Sequence, residues 1–311
     1  MTIDTTKGIA GLKGALRYVR AYRDHVFVIK LGGDVLADAD AVDRVSQQLG
    51  LLSSLSIRIV VVHGGGPQAT ALSRRLGREP TIVAGRRVTD EAALDVAKMV
   101  YAGSLNVNLL AALRAHEVQA VGLSGVDADL LTARRRPPVR VVDDAGVSRE
   151  VDYGLVGDVD RVDPRVLTTL LEARFMPVVA SLAGDGDGNV YNVNADTVAE
   201  SLAVALRAQK LIFLTGAPGV LRDRNDPSTL VTFADPDDLA TLMSNGVIAG
   251  GMRPKVEACI RAATGGVERT HIIDGRLPDS ILFEAFTGAG CGTMIVGRKE
   301  KATYLGVDLA T

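Results

Sequence analysis

The sequence has no tryptophan, only two cysteines and four histidines, and its aromatic content is 4%. Cys259 and Cys291 cannot build a disulfide framework or a CxxC metal site. His25, His63, His116 and His271 form no HExxH pair, so no protein-held metal is expected. No apolar run reaches the roughly 18 residues of a membrane span. The opening MTIDTTKG lacks a signal-peptide apolar core, so a reducing cytoplasm is expected and a membrane partner is not. An excess of one charge is missing too: 35 Lys plus Arg face 37 Asp plus Glu, for a formal net charge of -2. Nucleic-acid binders usually carry a marked basic surplus, so none is expected as partner. A P-loop, GxxxxGK followed by Ser or Thr, is absent, and Gly64-Gly65-Gly66 does not complete GxGxxG. Asp185-Gly186-Asp187-Gly188-Asn189 imitates a calcium loop, but Val190 stands where glycine is required, and the segment reads as a turn.

What is present is a chain of 311 residues, 47% hydrophobic and 23% charged, long enough for one large α/β domain or two lobes. Glycine is in surplus, 33 residues against the roughly 22 that average usage would give. A helix is expected over 7–24, where Leu12, Leu16, Val19 and Tyr22 recur at helical spacing. A strand at 26–29 runs into Lys30-Leu31-Gly32-Gly33, and a helix over 40–55 leads to a strand at 57–62, apolar enough to be buried on both faces. That strand ends at His63-Gly64-Gly65-Gly66, and helices at 67–77 and 90–115 and a strand at 118–123 follow. Residues 125–162 read as a hairpin-rich lid, with Arg134-Arg135-Arg136 in a solvated loop. Beyond it come helices at 164–173, 195–208, 236–245, 254–265 and 279–287, and strands at 175–181, 210–215, 269–274 and 293–297. Such alternation predicts a mostly parallel sheet covered by helices on both faces, with ligands at the carboxyl ends of its strands.

Two glycine turns follow buried strands. Glycine lets backbone N–H groups converge on an anion, forming a nest for phosphate oxygens; ordinary strand-to-helix turns are the alternative. Lys30 sits beside the first nest, unless it merely snorkels from a strand end. Gly250-Gly251-Met252-Arg253-Pro254-Lys255 brings a second lysine after a glycine turn, and only 8 of the 35 cations are lysines. Phosphoryl transfer would use both, because its transition state is stabilised by positioned charge. Two lysines held together need a carboxylate to orient them. Asp196, in Tyr191-Asn192-Val193-Asn194-Ala195-Asp196, could serve, or could simply complement a helix dipole. Arg87, just ahead of a helix start capped by Thr89 or Asp90, suits a bidentate carboxylate clamp or an ordinary surface position.

Taken in order, VIKLGG, VVVHGGGPQ, GRRVTD, YNVNAD, LTGAPGV and GGMRPKV resemble the amino-acid kinase family, over about residues 26 to 297. Within it the likeness points to members acting on N-acetyl-L-glutamate in arginine biosynthesis. The resemblance implies a three-layer αβα sandwich. Its parts would be an N-terminal helix at 1–25 that serves oligomerisation, a lobe at 26–197 for the acyl amino acid and a lobe at 198–311 for ATP. It implies Lys30, Lys255 and Asp196 as catalytic groups, and Gly65, Gly66, Arg87 and Asn192 as substrate-binding. Gly32, Gly33, Gly64, Thr215 and Gly219 would bind phosphate and nucleotide, with Mg²⁺ held mainly by the ATP phosphates. His271, Gly275, Glu284 and Gly292 would form an L-arginine site in a homodimer or hexamer. Gly216 stands where the family has an aspartate, so Gly216→Asp is expected to tighten ATP binding. Arg253 takes a commonly apolar slot, and Asp279 the place of a usual histidine. The rival readings are a catalytically weak arginine-sensing module, or a sister kinase acting on another acylated amino acid or on carbamate.

Overall fold

A computed structural model describes residues 14, 16–142 and 148–297. Residues 1–13 and 15 of the expected N-terminal arm therefore lie outside the described residues; residues 16–22 are helical, as expected. The centre is an eight-stranded sheet. Its order is Phe233–Ala234, Thr293–Val296, Arg269–Asp274, Lys210–Thr215, Val26–Leu31, Arg58–His63, Met176–Ala180 and Ala120–Ser124. Every neighbouring pair is parallel except Arg269–Asp274 with Thr293–Val296. Residues before 181 supply one half of the sheet and residues after 209 the other, meeting where Val26–Leu31 pairs with Lys210–Thr215.

Side chains alternate across a strand, so a sheet covered on both faces needs apolar residues at every position. Val28, Val60, Val62, Leu211 and Phe213 pack on one face, with Leu202 and Val256 of the helices Ala195–Ala205 and Met252–Thr264. Phe27, Ile29, Ile59, Val61, Ile212 and Leu214 pack on the other, with Leu49 of helix Ala39–Ser54, Leu109 of Asn106–Ala115 and Ile281 of Ser280–Phe286. Two cores separated by one sheet make the expected three-layer sandwich.

Residues 125–162 are hairpin-rich, as expected, yet among the described residues only Val139–Val142 with Ser148–Val151 forms a separate ribbon. Leu131–Arg135 and Val156–Val162 join Leu182–Gly184 and Val190–Val193 in a small closed barrel. The arginine run is therefore not a solvated loop. Arg134 and Arg135 end a strand, and Arg134, Arg135 and Arg136 pair with Asp160, Asp152 and Asp158. Helix Glu91–Ala115 has the length and apolarity of a membrane span, although charged residues interrupt its apolar run. It belongs to the folded body, where Leu94, Val100, Tyr101, Leu109 and Leu113 are buried. A π-helical turn, Lys98–Leu105, interrupts it, with a break at Gly103.

Candidate active site

Lys30 lies on the same face of its strand as Val28, so its side chain is directed at helix Ala195–Ala205 rather than out to solvent. Asp196 stands in the first turn of that helix. Asn194 caps the turn, its Oδ1 accepting from the Asp196 N–H at 2.7 Å and the Thr197 N–H at 3.3 Å. Lys30 Nζ meets Asp196 Oδ1 at 2.7 Å. From helix Met252–Thr264, Lys255 Nζ meets Asp196 Oδ2 at 3.2 Å and donates to the Gly251 carbonyl at 3.3 Å. Lys30 and Asp196 are only 7% and 5% exposed, so the pair is buried and each group compensates the other's charge. Burial is the largest influence on Asp196 and pushes its pKa upward. The attraction and hydrogen bonds of Lys30 and Lys255 outweigh it and hold the carboxyl below the usual aspartate value. Two cations thus share one carboxylate, and Lys30 and Asp196 lie on the wall of a cavity.

That cavity, about 510 Å³, is lined by Lys30, Asp196, Gly33, Gly64, Gly65, Gly66, Arg87 and Asn192 among others. Lys255 reaches Asp196 without lining the wall, where Pro254 and Glu257 of its helix lie. Arg87 Nη2 donates to the Gly66 carbonyl at 3.0 Å and to Thr70 Oγ1 at 2.6 Å, which fixes the guanidinium beside the second glycine turn. Asn192 Nδ2 donates to Thr89 Oγ1 at 3.2 Å, linking YNVNAD to GRRVTD across the cavity rim. Asp90, not Thr89, caps the helix at Glu91, accepting from the Ala93 N–H at 2.7 Å.

Several expected positions fall elsewhere. Gly32 is not in the cavity lining, and its N–H already donates to the Leu214 carbonyl at 2.8 Å, continuing the sheet pairing. That N–H is therefore already engaged in the sheet. Thr215 and Gly219 lie outside the lining too; the Thr215 hydroxyl closes its own turn, accepting from the Ala217 N–H at 3.0 Å. Gly216 packs against Asp34, whose Oδ2 would lie 2.9 Å from an added Cβ. A carboxylate from the first glycine turn already occupies that neighbourhood, so an aspartate at 216 would crowd it. Arg253 is a surface residue whose Nε donates to Glu257 Oε1 at 2.8 Å, which explains a charge in an apolar slot.

His271, Glu284 and Gly292 line a second cavity of about 130 Å³, together with Lys210, Arg269 and Tyr22. Gly275 does not: it packs on Leu214 and Val35, and its N–H donates to the Thr215 carbonyl at 3.0 Å. Here His271 Nδ1 donates to Glu284 Oε1 at 2.7 Å, and His271 Nε2 faces Lys210 Nζ at 3.1 Å. Burial, then repulsion from Lys210, push the His271 pKa down to about 4, so the ring is neutral and accepts from the ammonium.

Sequence reasoning missed Asp34, Tyr101, Ser181 and the Arg136–Asp158 pair, all but Asp34 on the main cavity wall. Alternating aspartates at Asp158 and Asp160, opposite three consecutive arginines, were the readable sign of strand pairing. Tyr101 carried no such sign.

A sheet of this order, with two lysines on one carboxylate at its carboxyl edge, suits an enzyme that moves phosphoryl groups. The family model described as the amino acid kinase family matches residues 25–274, and the chain belongs to that family. It is 52% identical over 289 residues to the acetylglutamate kinase of Myxococcus xanthus, covering 92% of this chain and 94% of that one. Among solved structures, an N-acetylglutamate synthase from Neisseria gonorrhoeae, complexed with coenzyme A and N-acetyl-glutamate, superimposes with a TM-score of 0.78 at 30% identity over 93% of this chain. The same synthase complexed with coenzyme A and L-arginine gives a TM-score of 0.76 at 27% identity, again over 93% of this chain. The chain spans only 63% and 65% of those two synthase chains.

Proposed function

We propose that the chain phosphorylates the γ-carboxylate of N-acetyl-L-glutamate with ATP, as a biosynthetic enzyme of arginine formation in the cytoplasm. The observation that carries this is the meeting of Lys30 and Lys255 on Asp196, at 2.7 and 3.2 Å, beside two glycine turns. A carboxylate oxygen of the acceptor attacks the γ-phosphorus, and the bond to the oxygen bridging the β- and γ-phosphates breaks. ADP departs with that electron pair. The acceptor is already ionised at neutral pH, so no general base is required. The two ammonium groups stabilise charge on the oxygens that make and break bonds, and Asp196 keeps them apart from each other and in place. N–H groups of Gly64, Gly65 and Gly66 face the same charge. Arg87 clamps a carboxylate of the acceptor and Asn192 holds its acylated end.

The half of the chain at 26–197 binds the acceptor in this reading, and the half at 198–311 binds ATP, with the 215–219 loop on the nucleotide side. Mg²⁺ would travel on the nucleotide phosphates, since the carboxylate at the centre, Asp196, is committed to two lysines. L-Arginine is the proposed effector of the second cavity, where Glu284 is the anion for a guanidinium and Tyr22 brings in the N-terminal helix. The chain is proposed to act as a homodimer or hexamer; exposed Met99 and Val107 on helix 91–115, at 53% and 60%, favour such burial.

The test is hydroxamate trapping of the acyl phosphate with N-acetyl-L-glutamate, N-acetyl-aminoadipate, aspartate and carbamate as acceptors, with and without millimolar arginine. The expected result is trapping with N-acetyl-L-glutamate above all others, lowered by arginine. Preference for another acceptor would mark a sister kinase, no product would mark a sensor, and no response to arginine would reject the effector site.

A further inference from the structure

His63 ends the strand Arg58–His63 and is fully buried, although nothing in phosphoryl transfer calls for an imidazole beneath the glycine turn. It lies on the face of Val61 and points at helix Asn106–Ala115, away from Lys30 and Asp196. Its Nδ1 lies 2.9 Å from the Gly64 carbonyl oxygen, and its Nε2 lies 3.2 Å from Asn106 Nδ2, which also donates to the Val178 carbonyl at 3.1 Å. The partners assign the protons. A carbonyl can only accept, so Nδ1 carries the hydrogen. The Val178 carbonyl fixes the Asn106 amide with its NH₂ inward, so Nε2 accepts. Burial, the largest influence, and the nearby Lys30 charge lower the His63 pKa, despite the bond to Gly64, in keeping with a neutral ring.

We propose that His63 and Asn106 are positioning residues for phosphoryl transfer, locking the Gly64–Gly65 peptide with its carbonyl turned into the fold and its N–H turned toward the cavity. In a trans peptide the C=O and N–H point in opposite directions, so anchoring one aims the other. Gly64 and Gly65 both line the cavity, and among the described residues the Gly65 N–H meets no acceptor. A peptide between two glycines flips easily. Flipped, it would present a carbonyl oxygen to the phosphoryl oxygens and repel them. The loop is seated from a second side by the π-helical turn Lys98–Leu105. An added Cβ on Gly65 would lie 2.5 Å from Leu105 Cδ1 and 2.7 Å from Tyr101 Cδ1. The same turn leads directly into Asn106, which gives the irregular helix a use at the site.

The inference rests on the phosphotransferase reading for its kinetics but not for its geometry, so its test has both parts. His63→Leu removes the donor, His63→Asn keeps an N–H near the Nδ1 position, and Asn106→Leu removes the support of the ring. Turnover in hydroxamate trapping is expected to fall about 10²-fold in His63→Leu, the scale of one preorganised donor, and about tenfold in Asn106→Leu. KM for N-acetyl-L-glutamate should stay within about threefold, because the acceptor's own contacts remain. His63→Asn should recover at least about a tenfold share of the loss. ADP affinity should be unchanged in His63→Leu while affinity for ADP with aluminium fluoride falls, a split that general damage to the fold would not produce. A crystal structure of His63→Leu should show the Gly64 carbonyl turned toward the cavity. Wild-type turnover in His63→Leu, equal losses in His63→Leu and His63→Asn, or an unflipped peptide would overturn the proposal. If His63→Leu does not fold, Asn106→Leu decides: unaltered turnover there overturns it. An inactive wild-type chain would sink the kinase reading instead, and the crystal structure alone would then judge the peptide lock.

Discussion

Lys30 and Lys255 reach one carboxylate from a strand and a helix far apart in the chain, and each places a charge that the other cannot replace. Lys30→Ala and Lys255→Ala are each expected to lower turnover at least about 10²-fold in the hydroxamate assay. Near-normal rates in either would remove that lysine from the mechanism. Lys30 was legible in the sequence because strand period and a following glycine turn fix where it must stand. Asp196 was legible as a helix-start acid able to orient Lys30 and Lys255, and both lysines do meet it; the distances were not legible, since they depend on how the helices cross. Gly216 was only half legible for a related reason. The sequence shows a missing carboxylate at Gly216, whereas the structure shows Asp34 filling the neighbouring space, 2.9 Å from an added Cβ. Gly216→Asp is therefore expected to raise the KM for ATP several-fold through crowding and repulsion between two carboxylates. The double change Asp34→Gly with Gly216→Asp should return it toward the wild-type value. A single variant with a lower KM would restore the original expectation.

Among the elements, strand Arg269–Asp274 and helix Ser280–Phe286 build the second cavity together. The helix begins at Asp279, which is left-handed (φ 54°) and offers no side-chain cap. Gln48 supplies one from another helix, its Oε1 accepting from the Ile281 N–H at 2.9 Å. That helix delivers Glu284 to His271, whose pKa is down to about 4 against an ordinary 6.5. Between these values the unfolded chain binds the proton and the folded chain does not, so stability falls as pH drops through the window. The loss attributable to His271 is about 2 kcal/mol between pH 7 and pH 5. Chemical denaturation of the wild type and His271→Gln at both pH values should show a flatter response in the variant; equal responses would place His271 outside this linkage. Ala39–Ser54 was readable because periodicity accumulates over many residues, and Lys210–Thr215 because its apolar run suits a strand buried on both faces. The barrel strands Leu182–Gly184 and Val190–Val193 were not, being too short to establish a period. The π-turn was also hidden, since its residues are as helical in composition as their neighbours.

At the scale of the whole molecule, one sheet with two cores carries everything that the site needs. The strand of Lys30 lies beside Lys210–Thr215 on one side and Arg58–His63 on the other, so both glycine turns open at one edge. Helices Ala195–Ala205 and Met252–Thr264 bring Asp196 and Lys255 over that edge. In the proposed reaction, with the acceptor on one half and the nucleotide on the other, a carboxylate attacks phosphorus directly. The most direct measurement uses N-acetyl-L-glutamate with both γ-carboxylate oxygens enriched in ¹⁸O, followed by ³¹P NMR in the presence of ATP and Mg²⁺. The account predicts an acyl-phosphate resonance shifted upfield by a bridging ¹⁸O, appearing in step with ADP. ADP without that resonance, or a resonance lacking the isotope shift, would contradict it.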